Sequence, residues 1–109
     1  MDMNEYQLQA KATDQYAPET RLIALIAGLA SEAGEVAGKL SKHLRGDLAY
    51  RNKESLYASI HNELGDVLWY VAMIADCVGT DLNTIASLNV VKLKDRYERN
   101  QIKGDGDDR

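Results

Sequence analysis

Apolar residues recur every three or four positions through two long stretches of this 109-residue chain, the spacing of a helix face. The first runs through Leu22, Leu25, Ile26, Leu29, Ala33, Val36, Ala37, Leu40 and Leu44. Thr20 is its expected N-cap, and Gly46 with Asp47 its stop. Lys39, Lys42, His43 and Arg45 gather towards its end, where positive charge complements the helix dipole. The second stretch takes Leu56, Ile60, Leu64, Val67, Val71, Ala75 and Val78 from about Lys53 onwards, with Gly79 as the left-handed residue beyond it.

Two weaker signals complete the set. Tyr6, Leu8, Ala12 and Tyr16 predict a helix from Asn4 to about Gln15, closed by Pro18, and Asp81 predicts a capped helix running to about Asn100, with Thr84 three residues on. Leu48 to Asn52 reads as a connecting loop. The expectation is an all-α, four-helix-bundle-like fold: one domain over residues 1–103, then a Gly/Asp tail over 104–109 too polar to bury and expected to be disordered.

The second long helix is apolar on more than one side. Leu68, Trp69 and Ala72 lie away from its stripe, and a helix apolar all round needs burial on two faces. A domain this small has few layers to offer. The second face is therefore expected to meet another subunit, making the protein a homo-oligomer.

Composition narrows the function. The net charge is -4 and no basic stripe stands out, which disfavours duplex nucleic acid as a partner. No run of about 18 apolar residues exists to span a membrane, and the first ten residues lack a signal peptide's pattern. Cys77 is the single cysteine, so no intrachain disulfide forms. A cytoplasmic protein is expected.

The chemistry resides in acids. Glu32-Ala33-Gly34-Glu35 and Glu63-Leu64-Gly65-Asp66 each place carboxylates at i and i+3 on one side of a helix. In both, the first acid sits about 70–85° from the centre of the apolar stripe and the second about 130–145°, in the same sense. If the two helices pack antiparallel through their stripes, all four carboxylates converge at one edge. Such a set needs a counter-ion, and oxygen-only ligands suit Mg²⁺, with Mn²⁺ possible. Gly34 and Gly65, each costing about 1 kcal/mol inside a helix, point to a close approach by another backbone or a ligand. The bland alternative is a pair of solvated acidic faces, which two matched motifs on neighbouring helices make the weaker reading. His43 and His61 lack the Glu-x-x-His spacing of a di-iron bundle.

Asn89, Lys92 and Arg96 share one side of the last helix, followed by Tyr97. They are candidates for phosphate and sugar contacts, against the alternative of a solvated basic face. Tyr70, one turn past Asp66, can stack on a base or serve as a core or interface tyrosine. No Gly-rich phosphate loop, zinc set or serine nucleophile motif is visible.

These runs resemble the MazG-like nucleotide pyrophosphohydrolases, of the all-α NTP pyrophosphatase superfamily. Gly28-Leu29-Ala30-Ser31-Glu32-Ala33-Gly34-Glu35-Val36 is similar to their first motif and Glu63-Leu64-Gly65-Asp66-Val67-Leu68-Trp69-Tyr70 to their second. Asn89-Val90-Val91-Lys92-Leu93-Lys94-Asp95-Arg96-Tyr97 resembles their Asn-x-x-Lys-Leu-x-x-Arg-Tyr segment. The resemblance implies a dimer or dimer of dimers that binds Mg²⁺ through Glu32, Glu35, Glu63 and Asp66. It also implies water attack at the α-phosphorus of a nucleoside triphosphate, giving monophosphate and pyrophosphate. Glu35 is then the candidate to orient or deprotonate the water; Lys92 and Arg96 offset phosphate charge, and Asn89, Tyr97 and Tyr70 position the nucleotide. Ser31 departs from the doubled glutamate of many members and bears on the number of metals held. It also favours the alternative, a non-catalytic helical dimerisation module that keeps a metal site.

Overall fold

The structure, a computed structural model, describes residues 1–100 and 106–107. Its elements are α1 (Met3–Lys11), α2 (Arg21–Arg45), a 3-10 turn (Leu48–Tyr50), α3 (Lys53–Cys77) and α4 (Leu82–Glu98). Of the expected disordered tail, only Gly106 and Asp107 are among the described residues; the rest of 104–109 lies outside them.

Side chains set where the helices start. Asp2 accepts from the Glu5 amide, Asn52 from Ser55 and Asp81 from Thr84, each at 2.8 Å, satisfying donors that have no intrahelical partner. Thr20 stands at the N-cap of α2 without a capping side-chain bond. Gly46 (φ 84°) and Gly79 (φ 83°) take the left-handed conformation beyond α2 and α3. Two boundaries differ from the sequence pattern. The segment read as a loop folds partly into the 3-10 turn, held by a 2.6 Å bond between His43 Nδ1 and the Tyr50 carbonyl. Helix α1 stops at Lys11, because the Thr13 hydroxyl turns back to donate to the Ala10 carbonyl at 2.7 Å.

α2 and α3 are antiparallel. Arg21 meets Asp76, Gly28 meets Tyr70, Glu32 meets Asp66 and Lys39 meets Glu63, so residue numbers rise along one helix as they fall along the other. The core lies where α1, α2 and α3 converge and gathers Ala10, Leu25, Ala72, Met73, Ala75 and Leu82. A buried Gln7 ties α4 to α1, its Oε1 accepting from the Leu82 amide at 2.9 Å and its Nε2 donating to the Thr80 carbonyl at 3.2 Å.

The packing qualifies two expectations. α2 meets α3 through only part of its apolar stripe: Leu25 is buried in the core with Ala72, Met73 and Ala75 of α3, and Leu29 and Val36 are half-buried, whereas Leu22, Ile26, Leu40 and Leu44 are exposed. The helix is rotated so that Gly28, Glu32 and Lys39 face α3. The second face of α3, expected to meet a second subunit, is covered in part within the chain, Leu68 and Trp69 remaining half-buried. Ala72 is fully buried, and Trp69 packs on the core with its Nε1 donating to Thr13 Oγ1 at 2.8 Å.

The apolar surface left over lies elsewhere. α4 turns away from α3 by 98°, and Ile85, Leu88, Val90 and Val91 are exposed along it. The radius of gyration is 16.8 Å, against about 13 Å for a compact domain of this length. Among the described residues no single helix is long and apolar enough to cross a membrane.

Candidate functional site

Glu32 from α2 meets Glu63 and Asp66 from α3, one carboxylate oxygen of each lying within 4.8 Å of the others. Glu32 and Glu63 are partly buried and Asp66 is exposed. The antiparallel register produces this meeting: the i, i+3 pair on α3 spans one turn, and Glu32 sits opposite that turn. Burial pushes the Glu32 carboxyl above the usual carboxylate range, and a hydrogen bond with Glu63 and the charges of Asp66, Glu63 and Glu35 push it the same way. A cation held between these carboxylates would offset that repulsion.

Glu35 is exposed and stands outside the 4.8 Å triplet, although near enough for its charge to act on Glu32. Lys39, unremarked in the sequence beyond its charge, lies seven residues after Glu32 on the same face. Its Nζ is 3.6 Å from Glu63 Oε1 and donates to Tyr50 Oη at 3.2 Å. The bond to Tyr50 raises the Lys39 ammonium and lowers the Tyr50 phenol. It holds a positive charge at one end of the acidic site.

At the other end, the acids open onto a cavity of about 370 Å³ lined by Thr13, Glu32, Asp66, Trp69 and Tyr70. Tyr70 Oη is 2.8 Å from Tyr16 Oη. That hydroxyl pairing, then burial, pushes the Tyr70 phenol up to about 12, so Tyr70 stays neutral and available as a hydrogen-bonding group. The ring fits against α2 because residue 28 is glycine: a Cβ there would stand 2.8 Å from Tyr70 Oη and closer still to Cε1 and Cζ.

The close approach expected at Gly34 and Gly65 is not found. A Cβ on either meets nothing within 4 Å, and Gly28 is the position where a neighbour presses on the backbone. Nor does one chain bring the α4 set to the acids. Asn89 and Lys92 line a separate cavity of about 310 Å³ with Ile85 and Leu88, and Tyr97 is 78% exposed. Lys92 Nζ donates to Asp107 Oδ1 at 3.2 Å, and Arg96 Nη2 to the Asp107 carbonyl at 3.0 Å. Arg96 is itself buried, and its Nε has no partner among the described residues.

Residues 21–100 match the MazG nucleotide pyrophosphohydrolase domain. The chain belongs to that family. A curated relative, the Gene 37 protein of Mycobacterium phage L5, is 44% identical over 85 residues, covering 75% of this chain and 71% of its own. No solved structure matches. The matched segment spans α2, α3 and α4 and so contains both acidic motifs and the Asn89–Tyr97 run. It leaves out α1 and the connector to α2. Thr13 and Tyr16 on that connector were missed as site residues by sequence reasoning, which read Tyr16 only as part of a helical spacing that ends at Lys11 in the fold. Trp69, expected at a subunit contact, lines the cavity within the single chain.

Proposed function

We propose that this MazG chain is a Mg²⁺-dependent nucleoside triphosphate pyrophosphohydrolase, converting a ribo- or deoxyribonucleoside triphosphate to the monophosphate and pyrophosphate. The observation that carries the reading is the Glu32–Glu63–Asp66 triplet opening directly onto an aromatic cavity. The donor set fits the cation: all three ligating groups are carboxylates, and burial together with the neighbouring carboxylates raises the Glu32 carboxyl, a strain that a bound cation relieves. When bound, Mg²⁺ (or Mn²⁺) supplies charge neutralisation for the triphosphate and activation of water near neutral pH.

The chain's own residues do the rest. Glu32, Glu63 and Asp66 anchor the site, with Glu35 on its open side as a further ligand. Glu35, exposed and one turn from Glu32, takes the proton of the attacking water. The new bond joins that oxygen to the α-phosphorus; the bond from the α-phosphorus to the bridging oxygen breaks, and its electron pair leaves on that oxygen with pyrophosphate. Tyr70 orients the nucleotide from the cavity wall.

Asn89, Lys92, Arg96 and Tyr97 reach the phosphates in an assembly rather than within one chain. The exposed line Leu22, Ile26, Leu40 and Leu44 on α2 and the bare apolar face of α4 are the surfaces for a second copy. The extended shape of the single chain is the reason to expect one. The assembly is a dimer or a dimer of dimers.

Pyrophosphate release from a panel of nucleoside triphosphates with Mg²⁺ tests the proposal. Asp66→Asn keeps the shape and removes one charge. It should cut the rate by more than tenfold, a barrier rise above about 1.4 kcal/mol, with the helical content unchanged. Turnover by Asp66→Asn near the wild-type rate would remove the carboxylates from the mechanism. A folded wild type with no turnover of any triphosphate would favour the non-catalytic module that Ser31 suggests.

A further inference from the structure

We infer that the connector between α1 and α2 forms the selecting wall of a nucleobase pocket, and that Tyr16 is a specificity-determining residue. The inference rests on the nucleotide reading of the site. It concerns a segment outside the matched residues 21–100, so it describes what this chain adds to the MazG domain.

A second cavity, of about 240 Å³, is lined by Thr13, Gln15, Tyr16, Trp69 and Tyr70. It shares Thr13, Trp69 and Tyr70 with the cavity that reaches Glu32 and Asp66. The two therefore adjoin, forming one path from the carboxylates to a box of three aromatic rings. A nucleotide whose phosphates lie at the acids would extend its base along that path.

Ring geometry identifies the part that yields. Trp69 and Tyr70 sit mid-way along α3, edge to face with centroids 4.9 Å apart. Tyr16 lies across from Trp69 at 6.3 Å between centroids, tilted by 45°. A planar base sandwiched between two rings needs about 7 Å, twice the contact distance of aromatic carbons. Tyr16 is therefore short of a sandwich by less than about 1 Å and one rotation. It lies outside any helix and is half-exposed, so it moves at less cost than either ring on α3.

The connector is nonetheless held in place. Asp14 Oδ1 accepts from the Tyr16 amide at 2.9 Å, and Asp14 Oδ2 accepts from Arg21 Nε at 2.8 Å. Arg21 Nη2 reaches Asp76 Oδ2 at 3.0 Å, and Lys11 Nζ reaches Asp76 Oδ1 at 3.1 Å. The Asp14 side chain is only 7% exposed. This network fixes the backbone at Tyr16 and leaves its ring as the movable wall.

Selection comes from the polar groups on the apolar walls. The Tyr16–Tyr70 hydroxyl pair and the Trp69 to Thr13 bond hold each other satisfied in the free protein. A base that enters must replace the hydroxyl pairing with its own donor or acceptor. A base edge that fails to do so leaves a polar group unpaired, which sites of this kind discriminate against strongly.

Trp69 is the single tryptophan of the chain, so its fluorescence reports the pocket without any turnover. Nucleoside monophosphates of each base, titrated without metal, should quench it with affinities that depend on the base. Tyr16→Ala should weaken binding of all of them about tenfold, the scale of one base–aromatic stack. Tyr16→Phe keeps the stack and should reorder the bases. With triphosphates and Mg²⁺, both variants should change KM and the base ranking while kcat holds. Unchanged affinities and ranking in a folded Tyr16→Ala, or no quenching of wild type by any monophosphate, overturns the inference. Base-dependent quenching without turnover of any triphosphate would leave the pocket standing and remove the pyrophosphohydrolase reading.

Discussion

Gly28→Ala is the sharpest test of how the site is built. In most helix interiors this change stabilises by about 1 kcal/mol, since alanine is the better helix former. At position 28 the added methyl would meet the Tyr70 ring, 2.8 Å from Oη and closer to two ring carbons. Tyr70 must then swing away from α2. It would give up the edge-to-face contact with Trp69, worth about 0.5–1.5 kcal/mol, and the hydroxyl bond to Tyr16, worth about 0.5–1.5 kcal/mol. Gly34→Ala supplies the control, because a Cβ there meets nothing within 4 Å and the helix-propensity gain is the same. Gly28→Ala should therefore be less stable than Gly34→Ala by about 1–3 kcal/mol. In a domain of this size that is a melting-temperature gap of at least about 4 °C. Thermal unfolding followed by far-UV circular dichroism measures it, at matched protein concentration so that any assembly contributes equally. Trp69 emission should shift in Gly28→Ala and not in Gly34→Ala. Equal stability of the two variants with identical Trp69 emission would refute the packing of Tyr70 on α2.

Mg²⁺ or Mn²⁺ should raise the melting temperature, and a chelator should reverse it. Because Glu32 is raised above 4.5 in the folded state, its protonated form stabilises at low pH and that contribution is lost as pH rises; the metal-induced gain should therefore grow with pH above about 4.5, and a pH-independent gain would place the metal elsewhere. For Asp76, burial pushes the carboxyl up but bonds from Lys11 and Arg21 outweigh it and hold it below 3.8. Its stabilisation is present at neutral pH and lost as pH falls below that value, so the deficit of Asp76→Asn against wild type should shrink in acid denaturation below about pH 3.8. Ile26→Glu puts a charge into the exposed α2 line and should lower the molar mass seen by light scattering; a wild type already monomeric at micromolar concentration contradicts the assembly.

The periodicity of this chain was enough to place its long helices, because helical pattern is local: Leu22 to Leu44 and Leu56 to Val78 lie within α2 and α3 give or take one residue. Asp81 as a cap and Gly46 and Gly79 as stops were legible for the same reason, each acting on neighbours within four residues. The two acidic motifs were legible as chemistry, since like charges at i and i+3 have no local purpose. What covers each helix face was not legible. The stripe of α2 is real, yet α2 turns Gly28, Glu32 and Lys39 towards α3 and leaves Leu22, Ile26, Leu40 and Leu44 outside. Periodicity states that a face is apolar; only packing decides which surface meets it. The helical spacing that runs through Ala12 and Tyr16 breaks at Lys11, and the connector from Ala12 to Thr20 is placed by Asp14 and Arg21 bound to Asp76, a partner far along the chain that meets them only when it folds. The connector so placed sets Thr13 and Tyr16 against Trp69, which the sequence left for a second subunit. It also puts Tyr16 beside Tyr70, because long-range ion pairs and ring contacts carry no signature in local spacing.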